Sequence, residues 1–294
     1  LTQKAVDNDV FAIYGPVYSG SIMVSMAESK RGEVPNFTGG EAAAITQQGN
    51  PYVFRTAFGQ NISYPKLAKF ITGKYKSLAI IYANNDFGKG GRDTMAKLME
   101  GSATKVVADI STDAGAVDFS AAVLKAKQSD AEAIFIVTNE EESARMLREF
   151  RKQGVKKPLI GETTLIGQKV IELAGDAANG AVGHVGLTVE AAPIKAFGAK
   201  YKAEYKSESD HNGIKGYTGV YVLKAAIEKV GKLDRKAVAA AIRGGCFSAK
   251  QTPGLLMDVC FDDKGDLDRD SFMVEVKGGH QIVTATLPPL NAKK

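Results

Sequence analysis

The groups of this chain best placed to do chemistry are serines, glycines and acids that follow short apolar runs. Ser19-Gly20-Ser21 comes just after the run Val10–Tyr14 and opens a helical stretch. Hydroxyls and free backbone N–H groups at a helix start suit a carboxylate, and simple capping of the helix is the other reading. Thr38-Gly39-Gly40-Glu41 follows a second run that ends at Phe37. Its glycines let a ligand approach the backbone closely, and a tight turn capped by Thr38 is the alternative. Farther along, Phe87, Asn139 and the Glu162-Thr163 pair stand at the ends of other apolar runs. An aromatic ring and several polar groups at strand ends are what a small-molecule pocket uses.

Catalytic motifs are sparse. His184, His211 and His280 are far apart and lack adjacent ligands, so surface or strand positions account for them. Gly15-Pro16-Val17-Tyr18-Ser19-Gly20 has the wrong spacing for a nucleophile elbow. Phe87-Gly88-Lys89-Gly90-Gly91 lacks the P-loop spacing and reads as a flexible turn. Glu140-Glu141-Glu142 opens a helix, where acids suit the dipole better than they make a cation site. No metal or cofactor is expected, and the inventory favours binding over enzymatic chemistry. Cys246 and Cys260 do not form a CxxC pair, and a disulfide and two buried free thiols both remain open.

The elements that must position these groups follow from composition and period. The 294 residues are 44% hydrophobic and 24% charged, enough for one large or two medium α/β domains. No run approaches the roughly 18 apolar residues that cross a bilayer, and the opening LTQKAVDND has no apolar signal-peptide core. The formal charge of +5 is scattered among acids. Only Arg151, Lys152, Lys156 and Lys157 cluster, at a helix C-terminal end that favours cations. Nucleic-acid binding, which calls for a basic stripe interleaved with aromatics, is not expected.

Strand and helix periods alternate along most of the chain. Strands are predicted over 10–14, 34–37, 52–55, 78–82, 105–110, 133–137 and 159–161. Helices are predicted from Ser19 to Arg31, about Glu41 to Gln48, Ile62–Thr72, the Asn84–Gly88 turn to near Met99, Phe119–Lys127, Glu140–Gln153, Pro193–Lys206, Ile214–Val230 and Asp234–Arg243. Apolar strands separated by amphipathic helices predict a parallel sheet covered on both faces, a doubly wound α/β fold. The tail, with extended segments over 254–261, 271–276 and 281–286 and Asp/Gly turns, predicts antiparallel additions.

With these segments in order, the chain resembles the type I periplasmic solute-binding proteins of branched-chain amino-acid ABC importers. The resemblance is carried by VFAIYGPVYSG (10–20), VPNFTGGEAAAIT (34–46), NPYVFRTAFGQN (50–61), LAIIYANNDFGKG (78–90), DFSAAVLKAK (118–127), IELAGDAANG (171–180), GYTGVYVLKAAIEKVG (216–231) and FDDKGDL (261–267). It implies two Rossmann-like lobes, joined by three crossovers near 56–61, 188–192 and 266–270, that close like a hinge on a ligand in the cleft. Lobe 1 would comprise 1–57 plus 190–267, and lobe 2 would comprise 58–189 plus 268–294. It implies no cofactor and no enzymatic activity, with capture of an amino acid or related small carboxylate in the periplasm or at the cell surface and delivery to a membrane permease. A ligand-sensing regulator of the same fold is the second reading, and an α/β enzyme the third.

Residue by residue, the resemblance places the ligand carboxylate at Ser19, beside Tyr18, and the next contacts at Gly39, Gly40 and Glu41. Phe87 would be an aromatic wall, Asn139 a pocket position and Thr163 the position often acidic for the ligand ammonium, with Tyr217 also in the set. Two departures stand out: Glu41 replaces a small hydroxyl residue, and Thr163 replaces an acid. A buried ammonium needs a carboxylate nearby, so Glu41 or Glu162 supplies it, or the ligand is not a standard α-amino acid. Glu41 is expected to meet a cationic or hydroxyl group. Family members also begin with roughly sixty further residues, about two βα units, so the chain is expected to lack that part of lobe 1.

Overall fold

The computed structural model of the chain describes residues 1–290 and divides into two compact units. Unit 1 comprises Leu1–Gly59, Ala191–Arg269 and the chain end from Pro289; unit 2 comprises Gln60–Glu190 and Asp270–Pro288. The sequence-based boundaries carry the whole tail to 294 with the second lobe. Within unit 1 the Leu290 N–H donates to Asp268 Oδ2 at 2.7 Å, and positions 291–294 of that expected span lie outside the described residues.

In chain order, unit 1 begins with α1 (Thr2–Asp7), β1 (Ile13–Tyr14), α2 (Ser19–Arg31), β2 (Asn36–Thr38) and β3 (Val53–Arg55). Unit 2 follows with α3 (Gln60–Thr72), β4 (Ser77–Ala83), α4 (Asp86–Met99), β5 (Lys105–Thr112), α5 (Ser120–Gln128) and β6 (Ala133–Val137). It continues with α6 (Glu140–Lys152), β7 (Leu159–Gly161), α7 (Thr163–Ile166), α8 (Gln168–Ala174) and β8 (Val182–Val185). Unit 1 resumes with α9 (Ala192–Tyr205), α10 (His211–Val230), α11 (Arg235–Ile242), β9 (Cys246–Phe247), β10 (Val259–Phe261) and β11 (Leu267–Asp268). The strands β12 (Ser271–Lys277) and β13 (His280–Leu287) complete unit 2.

Unit 2 is built on one sheet in the order β13-β12-β8-β7-β6-β4-β5. From β8 to β5 every pairing is parallel, whereas β12 is antiparallel to both β8 and β13. The parallel body and the antiparallel tail are those expected from the sequence. Read in chain order the parallel strands lie 2-1-3-4-5, so the winding reverses between β4 and β6. Side chains alternate across this sheet. Leu78, Ile80, Ala133 and Phe135 face Leu67 and Ile71 of α3 and Met95 and Met99 of α4. Ala79, Ile81, Ile134 and Ile136 face the other way, onto Val123 of α5, Leu147 and Phe150 of α6 and Val170 of α8. Cover on both faces explains why β4 and β6 read as unbroken apolar runs. Each such Ile or Phe side chain contributes roughly 1.5–3 kcal/mol by its burial.

Unit 1 contains a parallel sheet, β1-β2-β3, and an antiparallel one, β11-β10-β9. Ile22 and Met26 of α2 pack over Ala42, Ile45 and Val53. Cys246 and Cys260 oppose each other across β9 and β10 and form a disulfide, which decides between the two possibilities left open. Polar caps start several helices as their sequences suggest. Asn85, Asp210 and Asp234 accept from the N–H groups of Gly88, Gly213 and Ala237.

Two expectations in unit 1 fail because partners from elsewhere in the chain intervene. The strand predicted over 10–14 shrinks to Ile13–Tyr14. Ile13 is in register with Asn36, so the residues before it would have to pair against Pro35, which has no N–H to give. The helix predicted from Glu41 to Gln48 is a single 3-10 turn, Ala43–Ile45. Arg55 Nη1 donates to Gly40 O at 3.2 Å and to Ala42 O at 2.9 Å, taking the carbonyls that would start a helix. Among the described residues no helix is long and apolar enough to cross a membrane.

Candidate functional site

Three segments of unit 1 converge at the C-terminal end of β2. The Gly15–Tyr18 loop leads into α2, whose first residue is Ser19 and whose N-cap is Tyr18. The capping role considered for Ser19 is not the one it takes. Its buried hydroxyl accepts from the Ala42 N–H at 3.2 Å, which ties α2 to the Gly39–Ala42 loop and leaves the hydroxyl proton to be donated. Tyr18 is 69% exposed. Thr38 does cap its turn, its Oγ1 accepting from the Gly40 N–H at 3.3 Å. Gly40 carries a side chain only if its neighbours shift: a Cβ would lie 2.3 Å from Ile22 Cδ1 and 3.0 Å from the Val17 carbonyl oxygen.

Glu41 is 8% exposed, so its charge demands a partner. The partner is Lys215 of α10, whose Nζ donates to Glu41 Oε1 at 3.0 Å and to Gly39 O at 3.3 Å. Within unit 1 the cationic group that Glu41 meets is this ammonium, which offsets its charge. Sequence reasoning missed Lys215; the only signal was the need of a buried acid for a counter-charge. His211, one helical turn before Lys215, is held well below the usual histidine pKa by burial and by the Lys215 ammonium. Tyr217 belongs to a different face of α10, since residues two apart on a helix do not share one. Its ring packs on Phe197 and Tyr221, with centroids 4.7 Å away in each case. Burial, with a hydrogen bond to Tyr221, pushes its phenol up to about 12.

Below the loop lies a fully buried support that sequence reasoning also missed. Arg55 and Asp266 are both 0% exposed, with Nε to Oδ1 at 2.7 Å. Arg55 Nη2 donates to Thr46 Oγ1 at 2.8 Å, and Thr46 Oγ1 donates to Asp266 Oδ2 at 2.7 Å. Together with the bonds to Gly40 O and Ala42 O, this network fixes the backbone on both sides of Glu41.

Unit 2 presents its own set at the ends of β4, β6 and β7. The first two flank the reversal of strand order, where open α/β sheets bind ligands. Phe87 follows β4, lies in the core with Tyr64 and Leu67, and accepts at its carbonyl from Gln60 Nε2 at 2.9 Å. Asn139 follows β6 and is the N-cap of α6; its N–H donates to Glu142 Oε2 at 2.9 Å. Glu142 also accepts from the Gly115 N–H at 2.5 Å, so the third acid of the Glu140–Glu142 run serves the backbone. Glu162, the N-cap of α7, is buried with Oε2 3.3 Å from Nδ1 of the buried His184 on β8. Thr163 is the half-buried first residue of α7. The acid on this strand end thus sits one position before the one where the resemblance would put it.

A family profile described as periplasmic binding protein matches residues 1–281. The leucine-, isoleucine-, valine-, threonine- and alanine-binding protein of Pseudomonas aeruginosa is 27% identical over 278 residues, covering 93% of this chain and 73% of that protein. A leucine binding protein of Thermotoga maritima superposes with a TM-score of 0.86 at 24% identity, over 98% of this chain and 83% of the other. The solute binding protein of an ABC transporter from Rhodopseudomonas palustris, solved with 3,4-dihydroxybenzoic acid, gives 0.86 at 20% identity over 98% and 83%. These likenesses agree with the doubly wound α/β fold found in unit 2.

Proposed function

The chain belongs to the periplasmic binding protein family, and on that premise we propose that it captures a small amino acid or related organic acid outside the cytoplasm for the permease of an ABC importer. The observation that carries this reading is the convergence in unit 1. A buried serine hydroxyl at the start of a 13-residue helix, two glycines and a buried Glu41–Lys215 pair meet at one strand end. Helix N-terminus, hydroxyl and ammonium are all donors to a carboxylate. In unit 2, Asn139, Glu162 and Thr163 supply polar ligand contacts, with Glu162, already partnered by His184, as the acid nearest in sequence to the position that meets a ligand ammonium. The names of relatives that bind leucine, isoleucine and valine, or dihydroxybenzoate, support both ligand chemistries. The Cys246–Cys260 disulfide supports an oxidising, extracytoplasmic compartment.

A thermal-shift screen with amino acids, aromatic acids and keto acids tests the proposal. A ligand at a hundred times its Kd adds about 2.7 kcal/mol, a rise of several degrees in melting temperature. No shift with any of these classes sinks the reading.

A further inference from the structure

We propose that Lys215 is the cation that receives the ligand carboxylate in unit 1, with Glu41 as the residue that positions it. The inference rests on the binding function proposed above and names the group that selects for an acid.

Lys215 does more than neutralise Glu41. An ammonium has three donors, and two point at Glu41 Oε1 and Gly39 O. The third has no protein acceptor among the described residues. Both side chains of the pair are 10% exposed, so the ion pair is largely stripped of water. The Gly39 backbone, whose Cβ position lies 3.4 Å from Lys215 Cδ, and the carboxylate of Glu41 hold the flexible lysine stem in place. The Gly39–Ala42 loop that places Glu41 also takes the Ser19 hydroxyl through the Ala42 N–H. Lys215, the Ser19 hydroxyl proton and the start of α2 therefore belong to one linked cluster of donors. A carboxylate bound there completes the coordination of the ammonium with a charge-assisted hydrogen bond. Glu41 cannot play this part, since its charge is already directed at Lys215.

The test separates the carboxylate from the rest of the ligand. Leucine and leucinamide, and 4-hydroxybenzoate and 4-hydroxybenzamide, are titrated calorimetrically into the wild-type protein, Lys215→Met, Lys215→Arg and the double variant Lys215→Met/Glu41→Gln. The double variant leaves no uncompensated buried charge, so it reports on binding even if Lys215→Met folds poorly. The wild type is expected to prefer one acid over its amide by about tenfold or more, the size of a hydrogen bond to a charged group. That preference collapses in the double variant and persists in Lys215→Arg. A wild type that binds acid and amide equally, or a double variant that keeps the preference, overturns the role of Lys215 while leaving the binding function standing. A wild type that binds none of the four probes removes the binding reading for these classes, and the inference with it.

Discussion

Replacing Arg55 by methionine deprives the fully buried Asp266 carboxylate of its cation, takes the guanidinium donor from Gly40 O and leaves Ala42 O with the Ile45 N–H alone. Breaking a buried ion pair from one side costs roughly 3–5 kcal/mol, and the Gly40 carbonyl that loses its side-chain donor adds about 1–3 kcal/mol less whatever relaxation recovers. The expected loss for unit 1 is therefore about 4 kcal/mol or more, a large part of a typical domain's stability. Asp266→Leu leaves the guanidinium buried without its anion and is expected to cost a similar amount. The double variant Arg55→Met/Asp266→Leu carries neither buried charge, so its cost falls well short of the sum. Urea unfolding of the four proteins, followed by circular dichroism, measures the cycle. Ligand affinity falls in step, because the Gly40–Ala42 backbone loses its anchor. A cost below about 1 kcal/mol for Arg55→Met, or single-variant costs that simply add, refutes the reasoning.

Gly40→Ala forces a Cβ to within 2.3 Å of Ile22 Cδ1 and 3.0 Å of the Val17 carbonyl. A loss of about 1–3 kcal/mol is expected, together with weaker ligand binding, both read from thermal melts with and without ligand. Reducing the disulfide, which spans 14 positions, costs roughly 3 kcal/mol for a loop of this size; melting with and without reductant measures it. His211 titrates below its ordinary value in the folded protein, so the unfolded chain takes up the proton first. Its contribution to stability is full above about pH 6.5 and is lost as pH falls from there toward the folded value. Urea midpoints at pH 7.5 and 5.5 are expected to differ less in His211→Asn than in the wild type.

Much of unit 2 was legible because its parallel strands are covered on both faces. β6 and β7 have the predicted bounds, and β4 gains only Ser77 and Ala83. Those runs are apolar throughout, and period and length suffice to recognise them. The failures in unit 1 have one cause: long-range partners overrode local preference. Glu41–Gln48 reads as a helix until Arg55 takes the carbonyls of its first turn. Val10–Tyr14 reads as a strand until the register sets Pro35 against it. The candidate residues around Ser19 and Gly39–Glu41 do gather, because each follows the end of a strand in the same sheet. Lys215 was illegible, since it pairs with an acid 174 positions away. The Cys246–Cys260 pair was half legible: spacing allowed the bond, and only the register of β9 against β10 decides it.

The central claim is tested most directly by calorimetric titration of the purified protein with the acid that gives the largest thermal shift, alongside Ser19→Ala. The account expects one molecule bound per chain, with affinity reduced by about tenfold on loss of the hydroxyl donor. A titration without saturable heat, or an affinity indifferent to Ser19, contradicts it.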